Sequence, residues 1–199
     1  MNDQSTATSP PSGPALEAAG RVVLHVGCGP ANPAKLHKTF REPGWREVRL
    51  DIDPETRPDI LGTITRMEAV ASGSVDAVWS SHNVEHLYAH EVPLALGEFH
   101  RVLRPGGFAL ITLPDLQRVA ELVAADRLDV PAYISPAGPI TPLDTLFGFR
   151  KSIAQGNLFM AHHTGFTATT LEKALRAAGF SAVRTVRSDF DLWAHAVKS

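Results

Sequence analysis

The apolar residues of this chain fall into short blocks of two kinds, and polar or glycine-rich stretches separate them. Continuous runs rich in valine, leucine and isoleucine are typical of buried strands. Such runs predict strands at 22–26, 48–51, 59–61, 75–79 and 108–113, followed by a final strand pair at 181–187 and 192–197. Prolines 54 and 58 exclude an ordinary helix between the second and third strands.

Blocks in which apolar residues recur three or four positions apart are typical of helices with one buried face. They predict helices at 33–40, 65–71, 90–103, 115–124 and 167–178. Asn32, Asp115 and Thr167 are the expected N-caps. Strands that alternate with helices predict an α/β fold with a doubly wound, mostly parallel sheet and an antiparallel hairpin at its edge.

Two stretches depart from this alternation. Residues 1–15 are rich in serine, threonine, proline and glycine and predict a disordered tail, which leaves 16–199 as a single domain. Residues 125–166 carry four prolines and several aromatic residues, and Thr141-Pro142-Leu143-Asp144 is typical of a capped helix start. A connection of this length is too long for a passive loop, so we expect a lid-like or substrate-binding insertion.

Composition narrows the class of protein. The net charge of −2 gives no reason to expect nucleic acid as an obligatory partner, and the single cysteine excludes an internal disulfide. No run approaches the ~18 apolar residues of a membrane span, and the N-terminus lacks the pattern of a secretory signal. We therefore expect a cytoplasmic protein with no membrane partner, and the oligomeric state stays open.

The strongest chemical signal is the stretch VVLHVGCGPAN at 22–32. A buried strand leads into Gly27-Cys28-Gly29, and glycines at such a turn let the backbone approach a ligand. Asp51 ends the next strand about 20 residues later, where an acid can accept hydrogen bonds from ribose hydroxyls. The two features predict an adenosine-type cofactor. A dinucleotide fingerprint would need a third glycine where Asn32 stands, which argues against a nicotinamide oxidoreductase.

Five motifs in order resemble the class I S-adenosylmethionine-dependent methyltransferases, and in particular their short bacterial type 11-like subset. They are VVLHVGCGPAN, LDID (50–53), VDAVWSSHNVEHL (75–87), RVLRPGGFALITLPD (101–115) and HTGFTATTLEKALRAAGF (163–180). The resemblance covers roughly 21–198 and implies a seven-stranded, Rossmann-like sheet. Two positions depart from the family pattern: His25 stands where the family has an acid, and Ala31 where it has its third glycine.

The resemblance also implies roles for particular residues. Gly27, Cys28 and Gly29 would line the methionine part of S-adenosylmethionine, Asp51 would hold the ribose and Ile52 would pack on adenine. Thr63 would make a weaker adenine contact. Ser80 to Asn83 would form the edge that faces the cofactor, with Ser81 and His82 as its cofactor-binding residues. His82, Asn83 and His163 are the candidates next to the methyl acceptor, and the imidazole of His163 would suit a base at neutral pH.

Two alternatives remain beside transfer of a methyl group to an unidentified small-molecule acceptor. The stretch from His82 to His86 matches H-x-x-E-H, a zinc-hydrolase pattern that would use His82, Glu85 and His86. That pattern needs a helix throughout, whereas Trp79-Ser80-Ser81 places His82 at a strand end, so we expect no metal. A non-catalytic protein that binds S-adenosylmethionine is the other alternative, because His25 and Ala31 depart from the family pattern.

Overall fold

A computed structural model describes residues 20–199, so the predicted tail at 1–15 lies outside the described residues. The strands are β1 (Arg21–Val26), β2 (Trp45–Asp51), β3 (Ile60–Leu61), β4 (Val75–Ser81), β5 (Leu103–Pro114), β6 (Tyr133–Ser135), β7 (Gly138–Ile140), β8 (Ala182–Ser188) and β9 (Asp191–Val197). The helices are α1 (Lys38–Arg41), α2 (Val92–Val102), α3 (Leu116–Ala124), α4 (Pro142–Phe147), α5 (Arg150–Ala154) and α6 (Ala168–Ala177).

Seven of these strands form one sheet in the order β3-β2-β1-β4-β5-β9-β8. Strands β1 to β5 are parallel, and β9 runs antiparallel to both β5 and β8, so the hairpin β8–β9 closes one edge of the sheet. This confirms the predicted fold class and the final strand pair. The chain leaves β1 towards β2 on one side, and β4 pairs with β1 on the other, so β1 is a topological switch point, where open α/β sheets bind ligands.

Strand β1 contributes side chains to both faces of the sheet, because successive residues of a strand point to opposite sides. Val22, Leu24 and Val26 join the main core, which includes the apolar faces of α2 and α6. Val23 instead joins a smaller cluster with Phe40 of α1 and Trp79 of β4. Both faces of β1 are therefore buried, which holds its glycine-rich C-terminal end in a fixed place.

The predicted helix at 33–40 is interrupted. A 3₁₀ turn at Pro33–Lys35, with Asn32 as the predicted cap, is followed by extended backbone at Leu36 and then by the four-residue α1. The carbonyl of Lys35 accepts a hydrogen bond from Trp79 Nε1 at 3.0 Å. A continuous helix would use that carbonyl internally, so the indole competes with the helix. The short α1 does not provide the helix N-terminus that an anion would need.

The predicted helix at 65–71 is also wrong, because this segment forms turns. Arg101 on α2 donates to the carbonyls of Met67 and Val70, both at 2.9 Å, and Glu98 accepts from the Met67 amide at 2.6 Å. Two side chains of one helix thus satisfy the backbone groups that a local helix would have paired. The link after β2 holds only a 3₁₀ turn at Pro54–Thr56, as its prolines predict.

Residues 125–166 contain the hairpin β6–β7, the helices α4 and α5, and a 3₁₀ turn at Leu158–Met160. The predicted cap at Thr141 is confirmed: its side chain and that of Asp144 form a reciprocal capping box. Among residues 20–199, no helix has the length and hydropathy that crossing a bilayer requires.

Candidate functional site

A cavity of about 620 Å³ opens at the carboxyl ends of β1, β2 and β4. Its volume lies within the roughly 300–1,000 Å³ of small-molecule sites. Its wall includes nearly all the residues that the sequence predicts for a site: Gly27, Gly29, Asp51, Ile52, Thr63, Ser81, His82, Asn83 and His163. Residues 157–160 of the long connection complete the wall.

Cys28 is the predicted cofactor residue that does not line the cavity. Its side chain is buried behind the glycine turn, and its amide donates to the Leu50 carbonyl at 3.3 Å. Burial raises the pKa of the Cys28 thiol to about 11, so the group stays protonated near neutral pH. The cysteine fills space beneath the turn.

The glycine turn is held by two side chains of β2. Gly27 and Gly29 both have φ of +60°, a conformation that favours glycine. The Gly29 amide donates to Asp51 Oδ2 at 2.7 Å, and its carbonyl accepts from the Arg49 guanidinium at 2.5 Å. Arg49 belongs to no motif of the sequence, although its position two residues before Asp51 places both side chains on one face of β2.

Arg49 and Asp51 also organise the link that follows β2. The Arg49 guanidinium donates to the carbonyls of Thr56 and Arg57 at 3.1 and 2.9 Å. The second oxygen of Asp51 accepts from the Asp53 amide at 2.9 Å. Each carboxylate oxygen has a further lone pair, so Asp51 can still accept hydrogen bonds from a ligand in the cavity.

His25, at the position where the resembling family has an acid, is buried and lies against the cavity. Its Nδ1 is 2.6 Å from Oε1 of Glu47 on the neighbouring strand β2. Burial lowers the pKa of His25 and outweighs the opposing effect of Glu47, so the ring is neutral near pH 7 and donates its Nδ1–H to that carboxylate. A carboxylate therefore lies beside this position, although it comes from another strand.

The polar segment after β4 begins with strained backbone. His82 has φ of +48°, and its amide donates to the Thr112 carbonyl at 2.9 Å, so it continues the edge of the sheet. The side chain of Asn83 lies over Gly27: a Cβ at Gly27 would be 2.5 Å from Asn83 Cγ. Asn83 Nδ2 is buried and has no hydrogen-bond partner within 20–199. An unpaired buried amide at a cavity wall is a group that a ligand can satisfy.

His82 lies between two carboxylates. Its Nδ1 is 3.3 Å from Glu85 Oε1, and its Nε2 is 3.5 Å from Oδ1 of Asp191 on β9. Burial lowers the pKa of His82, but the two carboxylates outweigh burial and raise it. No sequence motif indicates Asp191, because the antiparallel hairpin brings it to the site. His82 belongs to no helix, and only a three-residue 3₁₀ turn, Val84–His86, follows.

His163 is exposed at the cavity and stacks on Tyr88, with ring centroids 4.2 Å apart. Its amide donates to the carbonyl of Glu85 at 2.9 Å, which fixes the end of the long connection against the segment after β4. The structure therefore brings His163 to the same cavity as His82 and Asn83, as predicted.

Residues 24–111 match a family model described as a methyltransferase domain. A malonyl-[acyl-carrier protein] O-methyltransferase of Dechloromonas aromatica is 29% identical over 168 residues, which are 79% of this chain and 62% of that protein. A second such enzyme, from Erwinia billingiae, is 30% identical over 66% of this chain and 53% of its own length. The chain thus spans less than two thirds of these relatives.

Solved structures share the fold at low sequence identity. An O-methyltransferase family protein of Burkholderia thailandensis superposes with a TM-score of 0.61 at 16% identity, over 94% of this chain and 54% of that one. A methyltransferase of Archaeoglobus fulgidus described as SAM-dependent gives 0.59, also at 16% identity, over 90% and 86% of the two chains.

Proposed function

We propose that this chain is a class I S-adenosylmethionine-dependent methyltransferase, which binds S-adenosylmethionine in the cavity beside β1 and transfers its methyl group to a small-molecule acceptor. The observation that carries the proposal is the glycine turn, which Asp51 and Arg49 clamp at the topological switch point. A turn held by both its amide and its carbonyl presents a rigid backbone surface to a ligand.

The groups at this turn fit the polar end of the cofactor. The Lys35 ammonium lies over Gly29, where it would pair with the methionine carboxylate. The unpaired amide of Asn83 lies over Gly27 and would donate to the same group. Lys35 was not anticipated from the sequence. A cation and an amide donor side by side suit a carboxylate better than they suit an uncharged group.

The adenosine end has its own candidates. The free lone pairs of Asp51 would accept hydrogen bonds from the ribose hydroxyls. Ile52 is 52% exposed at the cavity wall, and an apolar side chain in that position would pack on adenine. The Thr63 hydroxyl, which lies 2.9 Å from that of Thr65, would make the weaker contact to the base.

The acceptor would enter between the segment after β4 and residues 157–160. Leu158 and Phe159 line the cavity and are 70% and 57% exposed, so an apolar acceptor could cover them. When bound, the sulfonium cofactor supplies the methyl group and leaves as S-adenosylhomocysteine. The chain's part is to align the acceptor and to take its proton if it carries one.

We assign proton acceptance to His163 and a positioning role to His82. The exposed imidazole of His163 faces the cavity and is fixed by its stack on Tyr88. His82 is less suited to accept a proton, because Glu85 and Asp191 raise its pKa and favour the protonated ring. Asn83 lies between the cofactor and acceptor sides and would orient either molecule.

The test is calorimetric titration of the full chain with S-adenosylmethionine and S-adenosylhomocysteine. We expect binding in the micromolar range or tighter, which Asp51→Ala abolishes because it removes the ribose acceptor and releases Gly29. Asp53→Ala is the matched control: it removes a carboxylate from the same wall, and that group caps the local turn through the Glu55 amide.

A folded chain that binds neither sulfur nucleotide would refute the proposal. Equal loss in Asp51→Ala and Asp53→Ala would refute the assigned role of Asp51. Binding without transfer to any acceptor in a broad screen, which should include carboxylates, phenols and amines, would identify the chain as a non-catalytic binding protein.

A further inference from the structure

Three side chains outside the proposed methyl-transfer chemistry converge beneath the cavity wall. One donor atom each from Glu85, His86 and His162 lies within 4.8 Å of the others. Glu85 and His86 come from the 3₁₀ turn after β4, whereas His162 comes from the end of the long connection. The cluster therefore joins two segments at the point where they meet, and His86 and His162 are 76 positions apart in the chain.

Both histidines are oriented by backbone carbonyls. His86 Nδ1 lies 3.0 Å from the carbonyl oxygen of Ala161, and His162 Nδ1 lies 2.7 Å from that of Thr145. A carbonyl only accepts hydrogen bonds, so each Nδ1 carries a proton, and Nε2 is the ring nitrogen left to bind an ion. Metal-ligating histidines are typically held this way, with one ring nitrogen donating to a carbonyl or carboxylate and the other free to bind.

Glu85 supplies the second, independent observation. Its residue surface is 1% exposed, and neither carboxylate oxygen has a hydrogen-bond partner of acceptable geometry within 20–199. His82 Nδ1, 3.3 Å from Oε1, is the ring that faces it from the strand end. The His82 ring faces only Oε1, whereas Oε2 has no polar partner within 20–199, and a buried carboxylate oxygen without one is costly. The amides of His163 and Thr164 donate to the Glu85 carbonyl and hold this residue in place.

We propose that Glu85, His86 and His162 bind a divalent transition-metal ion, with zinc as the first candidate. Two imidazole nitrogens and one carboxylate oxygen form a donor set that zinc accepts with three protein ligands, leaving a further position for water or substrate. Compared with the H-x-x-E-H pattern, His162 takes the place of His82, which stands at a strand end with positive φ and faces Asp191.

A metal ion bound here would link the long connection, through His162, to Glu85 and His86 after β4. His86 lines the cavity, so a metal bound there would also set the shape of the acceptor side. Metal binding does not depend on the proposed methyl transfer, because neither S-adenosylmethionine nor an acceptor takes part in it.

The experiment uses the full chain after treatment with a chelator and dialysis. Zinc is titrated in competition with a chromophoric chelator, and Co²⁺ is added separately to record visible absorption bands from a bound ion. We expect one equivalent of zinc and a higher thermal midpoint for the metal-bound protein. Disturbing groups that only orient ligands already costs about 10–100-fold in affinity, so His86→Ala and His162→Ala should each weaken zinc binding by more than ~100-fold.

His90→Ala is the control, because His90 is an exposed histidine four residues after His86. It should bind zinc like the parent chain. Glu85→Gln can fail to fold, so the decision rests on the two histidine variants, each checked by circular dichroism and by S-adenosylhomocysteine titration. Absence of stoichiometric zinc binding in the parent chain, or equal affinity in parent, His86→Ala and His162→Ala, would overturn the proposal. S-adenosylhomocysteine binding in the same samples reports separately on the proposed function.

Discussion

The Gly27→Ala substitution tests whether close approach at the glycine turn is needed for cofactor binding. Gly27 has φ of +60°, and left-handed backbone costs a non-glycine residue roughly 1–2 kcal/mol. The new methyl group would also lie 2.5 Å from Asn83 Cγ. Favourable carbon–carbon contacts lie at about 3.5–4.0 Å, so the Asn83 side chain must move. We expect a loss of about 1–3 kcal/mol in unfolding free energy and more than ~10-fold weaker binding of S-adenosylhomocysteine.

Gly73→Ala is the matched control. Gly73 has φ of +64°, and the nearest atom to a Cβ there is Arg104 Cα at 4.0 Å. The backbone cost is therefore the same, but nothing is displaced and the site is untouched. Urea unfolding and calorimetry should give about 1 kcal/mol of destabilisation with unchanged S-adenosylhomocysteine affinity.

Two results would contradict this reasoning. If Gly27→Ala bound S-adenosylhomocysteine as tightly as the parent chain, cofactor binding would not require a glycine at this turn. The double variant Gly27→Ala/Asn83→Ala removes the displaced side chain, so it should be more stable than the sum of the single losses predicts. Strict additivity in urea unfolding would mean that Asn83 is not what the new methyl group meets.

Two further predictions concern side chains that support the site. Arg49→Met removes the guanidinium that holds the Gly29 carbonyl. It should lower the unfolding free energy measured in urea by about 2 kcal/mol and weaken S-adenosylhomocysteine binding. Arg49→Lys should restore neither the stability nor the affinity, because an ammonium lacks the planar fork of a guanidinium. At Asp144, burial raises the pKa of the carboxyl, but hydrogen bonds from Arg150 and Thr141 outweigh burial and hold it at about 2. Since that pKa is below the unfolded value, the stabilisation is present above about pH 4 and is lost as pH falls towards 2. This stabilisation should amount to about 2 kcal/mol. In urea unfolding, Asp144→Asn should lose less stability than the parent chain between roughly pH 5 and pH 3. The same loss in both proteins would contradict the role assigned to Asp144.

Local pattern was sufficient to predict most of the sheet. Strand β1 ends in glycines and β2 ends in Asp51, and the carboxyl ends of neighbouring parallel strands meet at one edge. The sequence alone therefore places Gly27 and Asp51 at a common site. Asn83 joins them because it follows β4, the other strand that pairs with β1. Asp115 and Thr167 were predicted as caps and act as caps, because capping depends on residues two or three positions away.

The errors share a different cause, which is competition from distant side chains. The Trp79 indole donates to the Lys35 carbonyl, which a continuous helix at 33–40 would have used internally, and the two residues are 44 positions apart. Arg101 does the same to residues 65–71 from 34 positions away or less. Residue types alone do not indicate such pairs, since an indole or guanidinium can donate to any carbonyl within reach.

The histidines near the cavity also could not all be identified from the sequence. Resemblance singled out His163, and the H-x-x-E-H pattern singled out His82, Glu85 and His86. Neither indicated His162, whose Nδ1 lies against the Thr145 carbonyl and which the long connection brings near the Glu85 carboxylate. A cluster that joins His86 to His162, 76 positions later in the chain, becomes visible only when the fold is known.

The structure also accounts for the two positions that depart from the family pattern. Within 20–199, positive φ at non-glycine residues is confined to Arg57, His82, Asp126 and Asp189. Ala31 is exposed and adopts ordinary backbone, so its position does not require glycine. At His25, the missing acid is offset by Glu47, which comes from β2 two residues before Arg49 and four before Asp51. One face of β2 thus provides the carboxylate beside His25, the cation on the Gly29 carbonyl and the acceptor for the Gly29 amide. Side chains of β2 therefore hold the turn, and the two departures give no reason to prefer a non-catalytic binding protein over an enzyme.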